Sequence, residues 1–192
     1  MRRPRTYKSP HRRRREGKTN YRKRLNLLKA GLPRLVIRKS TNNVTCQVVN
    51  YKPTGDQTVV TTNAVTLKGV GWKAGTGSVP AAYLIGFLCG TAAKKKGVSK
   101  AIADLGMTTP TKWSRLFAAV KGAVDAGLEV PHSEDVMPPA ERILGKHISA
   151  YAEKLKKDTP EKYQALFSKL AKAIPLETLA QHVEEVKKKA SS

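Results

Sequence analysis

The first 39 residues hold 16 Lys and Arg against one acid, Glu16, and a segment of that kind cannot condense on itself. Its self-repulsion opposes compaction until a polyanion neutralises it. Any core must therefore come from the rest of the chain, with the leader lying outside it. Residues 40–93 carry three basic side chains against Asp56, and residues 94–192 carry 18 against 12 acidic ones, so the net +23 is concentrated at one end of the 192 residues. A hydrophobic content of 40% is enough for a folded domain behind the leader.

Several classes of protein are disfavoured at once. Cys46 and Cys89 have no second Cys or His at metal-ligand spacing, so neither a zinc finger nor a disulfide framework is expected. The two thiols suit a reducing compartment, and both read as small buried hydrophobes. No apolar run follows the cationic start before Leu35, so no secretory leader is expected. The most apolar stretch, Val79 to Ala93, contains Gly86 and Gly90 and falls short of the roughly 20 residues needed to span a bilayer. It reads as a buried helix, and no membrane partner is expected.

The leader itself runs Arg2, Arg3, Arg5, Tyr7, Lys8, His11, Arg12, Arg13, Arg14, Arg15, Lys18, Tyr21, Arg22, Lys23, Arg24. Guanidinium groups fork onto phosphate oxygens and stack on exposed bases, and tyrosine offers a ring face to a base, a combination suited to RNA. A nuclear-localisation run or a membrane-surface patch is the plainer reading of a short basic stretch. This one continues for two dozen residues, is nearly free of acid and lacks an apolar face for lipid. RNA is the partner expected of it, with the arm disordered alone and ordered on binding.

Behind the arm, Arg34–Ser40 and Val44–Tyr51 are β-branched runs around the turn residues Thr41, Asn42 and Asn43. A third run, Gln57 to Leu67, follows the turn at Lys52–Asp56. An antiparallel meander is predicted. In its first strand Leu35 and Ile37 share one face while Arg34, Val36 and Arg38 share the other, which would present two guanidinium groups beside Lys39 and extend the basic surface. Ser78 as cap and Pro80 in the first turn open a helix over 79–96, closed by Lys94–Lys96 and Gly97. Lys100 to Met107 suits a fourth, buried strand. Thr109-Pro110 would cap a second helix, in which Trp113, Leu116, Phe117, Val120 and Val124 recur at helical spacing up to Gly127. The order is βββαβα: an α/β fold with a three-stranded antiparallel meander followed by helix, strand and helix. It is divided as arm 1–32, core 33–132 and a helical C-terminal extension 133–192 that looks like a docking tail.

Four motifs suggest chemistry that the sequence does not complete. Gly69-Val-Gly71-Trp-Lys-Ala74 matches the dinucleotide pattern, but four residues still separate it from the helix and no acid follows about twenty residues on. Gly17-Lys18-Thr19 lacks the upstream glycine of a P-loop, since position 12 is Arg12. A two-metal nuclease would need an acid on the first strand, and Asp104 stands alone on the fourth. His132-Ser133-Glu134-Asp135 are neighbours in a Pro-flanked loop and cannot converge as base and nucleophile. His147 and His182 read as surface or packing residues of the tail. No catalytic residue, cofactor, metal or small-molecule substrate is expected. The glycine-rich loop Trp72, Lys73, Gly75, Thr76, Gly77, Ser78 is either a phosphate seat at a helix N-terminus or a plain capped loop. An RNA-processing or nucleotide-using enzyme, another basic RNA-binding protein and a DNA-compacting chromosomal protein are the competing functions.

Tyr7-Lys8, Arg12 to Tyr21, Pro33 to Ser40, Gly71-Trp72, Gly77 to Leu84, Asp104 to Gly106, Thr109-Pro110 and Asp125 to His132 closely resemble, in this order, the archaeal and eukaryotic form of the large-subunit ribosomal protein eighteen family. The likeness runs from about Tyr7 to Tyr151. It implies a cytoplasmic ribosomal protein without catalytic activity that binds 5S ribosomal RNA and helps attach it to large-subunit RNA in the central protuberance, near a second 5S-binding protein. By the same resemblance, Arg12 to Arg15, Lys18, Tyr21 and Arg22 to Arg24 would carry most of the RNA contact, supplemented by Arg34, Arg38, Lys39 and the loop from Trp72 to Ser78.

Overall fold

The computed structural model describes residue 6 and residues 8–191. Four strands form one mixed sheet: β1 Arg34–Lys39, β2 Val44–Asn50, β3 Gln57–Thr62 and β4 Ile102–Asp104, in the order β3-β2-β1-β4. The first three are antiparallel, with Leu35 opposite Val48 and Ile37 opposite Cys46, as the alternation of apolar residues requires. β4 returns parallel to β1, pairing Arg34 with Ile102 and Val36 with Asp104. The expected α/β order is therefore observed, with β4 closing the far edge of the sheet.

The predicted boundaries move in three places. The third strand stops at Thr62, because the Asn63 side chain accepts the N–H groups of Val65 and Thr66 and starts a short helix, α3, Ala64–Gly69. The fourth strand is three residues long and ends where Gly106 turns the chain at φ +65°. The second core helix begins at Arg115 rather than at Thr109-Pro110. Trp113 thus lies outside the helix whose apolar stripe it was expected to join, since its spacing to Leu116 and Phe117 extends the stripe two positions before the first helical residue, Arg115. It stands exposed at φ +58°, and a bulky side chain in the left-handed region costs roughly 1–3 kcal/mol.

Helices α4 (Val79–Lys95) and α5 (Arg115–Asp125) cover one face of the sheet. α4 opens as predicted, with the Ser78 hydroxyl accepting the Ala81 N–H. It is buried on nearly every side. The two helices approach so closely that a Cβ at Gly86 would strike the carbonyl of Ala119, and one at Gly122 the carbonyl of Tyr83. Cys46 and Cys89, both fully buried free thiols, pack inside this layer, and the hydrogen bond to Cys89 together with burial pushes the Cys46 thiol up.

In the C-terminal extension, α6 (Ala140–Ile143), α7 (Lys146–Asp158), α8 (Pro160–Ala173) and α9 (Leu179–Ser191) follow in turn. α9 sets Leu179, Val183 and Val186 into the same apolar cluster as Leu35, Leu84 and Val120, so the end of the tail docks on the body's own α4. His182 is a packing residue there: its ring lies 5.1 Å from that of Trp72, at an interplanar angle of 19°.

The arm adds α1 (Arg12–Arg15) and α2 (Tyr21–Leu28), neither with a buried residue. Helices of this length fall below the ~12–15 residues that stand alone in water, so their order depends on what holds them. No described helix is long and apolar enough to cross a membrane.

Candidate nucleic-acid interface

The face of the sheet opposite α4 and α5 meets the arm. Asn20 caps α2 by accepting the Lys23 N–H at 3.1 Å, and the arm's turn is closed by Arg13 Nε donating to Thr19 Oγ1 at 2.8 Å. From α2, Arg24 donates to both carboxylate oxygens of Asp56, at 2.8 and 2.9 Å. Asp56 also accepts from Arg34 Nη2 at 2.6 Å. Arg34 Nη1 reaches Asp104 Oδ2 at 2.9 Å, and Arg38 Nη2 reaches Asp104 Oδ1 at 3.1 Å. Five charges thus form one chain: Arg24, Asp56, Arg34, Asp104, Arg38. It ties the arm to the first strand and the first strand to the fourth. Two anions satisfy three cations, which leaves the chain with one positive charge.

Burial grades the members of this chain. Arg34 is 3% exposed and Asp104 is nearly as deep, whereas Arg38 stays half open while also donating to the Asp104 carbonyl. The Arg34 Nε is buried without a hydrogen-bond partner among the described atoms. Partial burial pushes the Asp56 carboxyl up, but hydrogen bonds from Arg24 and Arg34 outweigh it and hold the carboxyl below its ordinary value. The Asp104 carboxylate accepts the Gly106 N–H at 2.9 Å as well, fixing the start of the loop after β4.

Between α2, this chain of charges and that loop lies a cleft of about 760 Å³. Arg13, Lys18, Tyr21, Lys23 and Arg24 line one side and Leu105, Gly106, Met107, Thr108 and Pro110 the other, with Arg34, Arg38, Asp56 and Asp104 also contributing. Lys8, Arg12, Arg13, Arg14, Arg15, Lys18, Arg22 and Lys23 are exposed. Their one acidic neighbour on the arm, Glu16, takes Lys18 at 2.9 Å and Arg12 at 3.8 Å. A surface with so many unneutralised cations around a recess fits a polyanion.

The site residues expected from sequence separate accordingly. Arg13, Lys18, Tyr21, Lys23, Arg24, Arg34 and Arg38 converge on the cleft. Arg2, Arg3, Arg5 and Tyr7 lie outside the described residues. Lys39 is exposed at the far end of β1. Arg34 departs from the expectation: it is not presented to solvent but paired with two carboxylates, whose charge-assisted hydrogen bonds offset the cost of enclosing its guanidinium.

The glycine-rich loop belongs to a different neighbourhood. Trp72 is a core residue at 3% exposure, with its ring on His182, so it offers no face to a base. Thr76 Oγ1 shares its proton between Asn42 O (2.9 Å) and Asn43 Oδ1 (2.8 Å), and Ser78 Oγ is within 3.1 Å of Gly75 O. A Cβ on Gly77 would press on the Asn42 backbone. The loop is therefore joined to the turn between β1 and β2, and its single charged side chain, Lys73, is exposed. Gly75 is exposed and Gly77 half-buried.

Asp56 and Asp104, which organise the cleft, were missing from the expected site. A signal for them existed: Glu16, Asp56 and Asp104 are the only acids in the first 104 residues. In so cationic a stretch each retained acid has a choice of guanidinium partners. Among the described residues no three His, Cys, Asp or Glu side chains cluster to hold a metal ion. A family model described as ribosomal large subunit proteins 60S L5 and 50S L18 matches residues 5–97 and 90–133, which takes in the arm, the whole sheet, α4, α5 and the loop after β4.

Proposed function

The chain belongs to the family of ribosomal large subunit proteins 60S L5 and 50S L18, and from that premise we propose that this ribosomal protein binds 5S ribosomal RNA and attaches it to large-subunit RNA in the central protuberance. Its role is structural rather than catalytic. The observation that carries the reading is the cleft between arm and sheet, where exposed cations of α1 and α2 surround a recess whose floor is already pinned by Asp56 and Asp104.

The division of labour is physical. Lys8, Arg12 to Arg15, Lys18, Arg22 and Lys23 replace counterions along the RNA backbone, which gives affinity and register without sequence choice. Tyr21 and the half-open Arg38 supply flat groups that meet unstacked bases. Arg24 and Arg34 hold the arm against the sheet rather than touching RNA. Lys39 and Lys73, with Gly75, Thr76, Gly77 and Ser78, form a secondary contact near the β1–β2 turn. Neighbouring proteins, including a second 5S-binding protein, complete the particle, whose place is the cytoplasmic ribosome.

Binding of a 5S transcript as a function of salt tests this directly. If about ten phosphates are neutralised, log K should fall with log salt at a slope of roughly −7 to −9. Deleting residues 1–24 should cost orders of magnitude in affinity while circular dichroism shows the body still folded. A flat salt response, or tight binding by the truncated chain, would overturn the assignment.

A further inference from the structure

We propose that Trp113, on the loop whose earlier residues line the cleft, is a stacking platform for an unpaired base of the bound RNA, an inference that rests on the RNA-binding reading above. Among the described residues Trp113 is the only non-glycine with positive φ, at +58°, whereas eight glycines occupy the other such positions. The largest side chain therefore sits where the backbone favours the smallest. Packing does not explain it, because Trp113 is 47% exposed while the other tryptophan, Trp72, is in the core. A strained residue that leaves about half of its large side chain open to solvent is a mark of a binding site.

The pedestal beneath the ring is firmly held. The Trp113 N–H donates to Val136 O at 3.1 Å, and the Ser114 N–H closes the turn onto Thr111 O at 3.3 Å. Directly behind, Arg115 Nη1 donates to Thr41 O and Gly77 O, both at 3.0 Å, and so fastens the start of α5 to two separate loops. A ring on such a support loses little conformational entropy when it meets a ligand.

The neighbourhood identifies the occupant. Met107, Thr108 and Pro110 of the same loop line the cationic cleft, and Met107 is 53% exposed. Residues 105–124 carry no acid and Lys112, the residue before Trp113, is exposed, while Glu134 and Asp135 stand exposed just before Val136, the backbone partner of Trp113. A soft thioether in the lining of that recess and an exposed indole six residues along the same loop suit a nucleobase turned out of its stack. A base is favoured over a protein partner because the loop is continuous with a recess whose cations take phosphates.

The test uses the full chain and a 5S transcript. Trp113→Gly should leave the thermal midpoint unchanged or higher, because glycine relieves the left-handed strain. Affinity should fall roughly 5- to 150-fold, the usual loss of one base stack, with an unchanged salt slope because no phosphate contact is removed. Trp113→Phe should recover most of the affinity. RNA should also shield the accessible part of the intrinsic fluorescence from acrylamide, which barely reaches Trp72. A Trp113→Gly chain that binds as tightly as the original overturns the inference and leaves the function standing; so does one that loses stability in step with affinity, since the ring would then be structural. Shielding by large-subunit proteins and not by RNA overturns it too. Failure of the unaltered chain to bind RNA is a separate outcome that removes the function and this inference together.

Discussion

The two faces of the sheet are built from the same strands and work by opposite means. On one, Leu35, Ile37, Cys46, Val48 and Val60 disappear beneath α4 and α5 into a dry layer. On the other, the alternate residues Arg34 and Arg38 enter a chain of ion pairs that reaches the arm. The first face is held by apolar burial, which is non-directional and tolerates local adjustment. The second is held by hydrogen bonds with fixed partners, so the loss of one group strands another. One strand, β1, thus carries the core and the interface on odd and even positions.

The charged face is most vulnerable at Asp104. Asp104→Ala should destabilise the fold by about 3–5 kcal/mol, since it leaves the enclosed Arg34 short of a partner. Chemical denaturation measures this, and a loss below about 1 kcal/mol would mean that the charged face contributes no more than surface ion pairs do. On the dry face, Gly86→Ala pushes α4 away from the Ala119 carbonyl and should cost roughly 1–3 kcal/mol. RNA affinity per folded molecule should not change, because the disturbed surface is remote from the cleft. Equal losses of affinity in this variant and in arm variants would show that the two faces are not separable.

Smaller effects distinguish cations within the charged face. Arg24→Ala should lower stability by less than about 1 kcal/mol, being a partly exposed pair, and leave the salt slope of RNA binding near its original value. Lys23→Ala, one residue earlier and exposed, should do the reverse, leaving the thermal midpoint alone and reducing the slope by about 0.7–0.9. The smallest effect is the pH response of Asp56. Its folded carboxyl titrates below its ordinary value, so the stability it adds is present above the unfolded value of about 3.9 and is lost as pH falls through the folded one. The stability gap between the original chain and Asp56→Asn, clear at neutral pH, should therefore close under acid.

Much of this architecture was legible in the residues. The arm declared itself by charge, β1 and β2 by alternation around Asn42-Asn43, and α4 by its Ser78 cap and unbroken apolar run. Where reading failed, the deciding contact was remote or the local signal ambiguous. The third strand is shorter than its Val- and Thr-rich segment suggests, because Asn63 ends it by capping α3. Trp113 fitted the helical spacing of Leu116 and Phe117, and nothing local announced the backbone turn in front of α5. Arg34 and Arg38 alternate as expected, yet alternation states only which face a side chain takes. It does not state whether water or a carboxylate is waiting there.

What the sequence alone determined is where charge and apolar groups are concentrated, because periodicity and self-repulsion act along the chain and need no distant partner. It takes the folded chain to bring Arg34 to Asp56 from 22 residues away and to Asp104 from 70, and to close His182 on Trp72. Ion pairs and ring contacts depend on distance in space and on exclusion of water. Both are set by the completed fold and leave no periodic mark on the residues that make them.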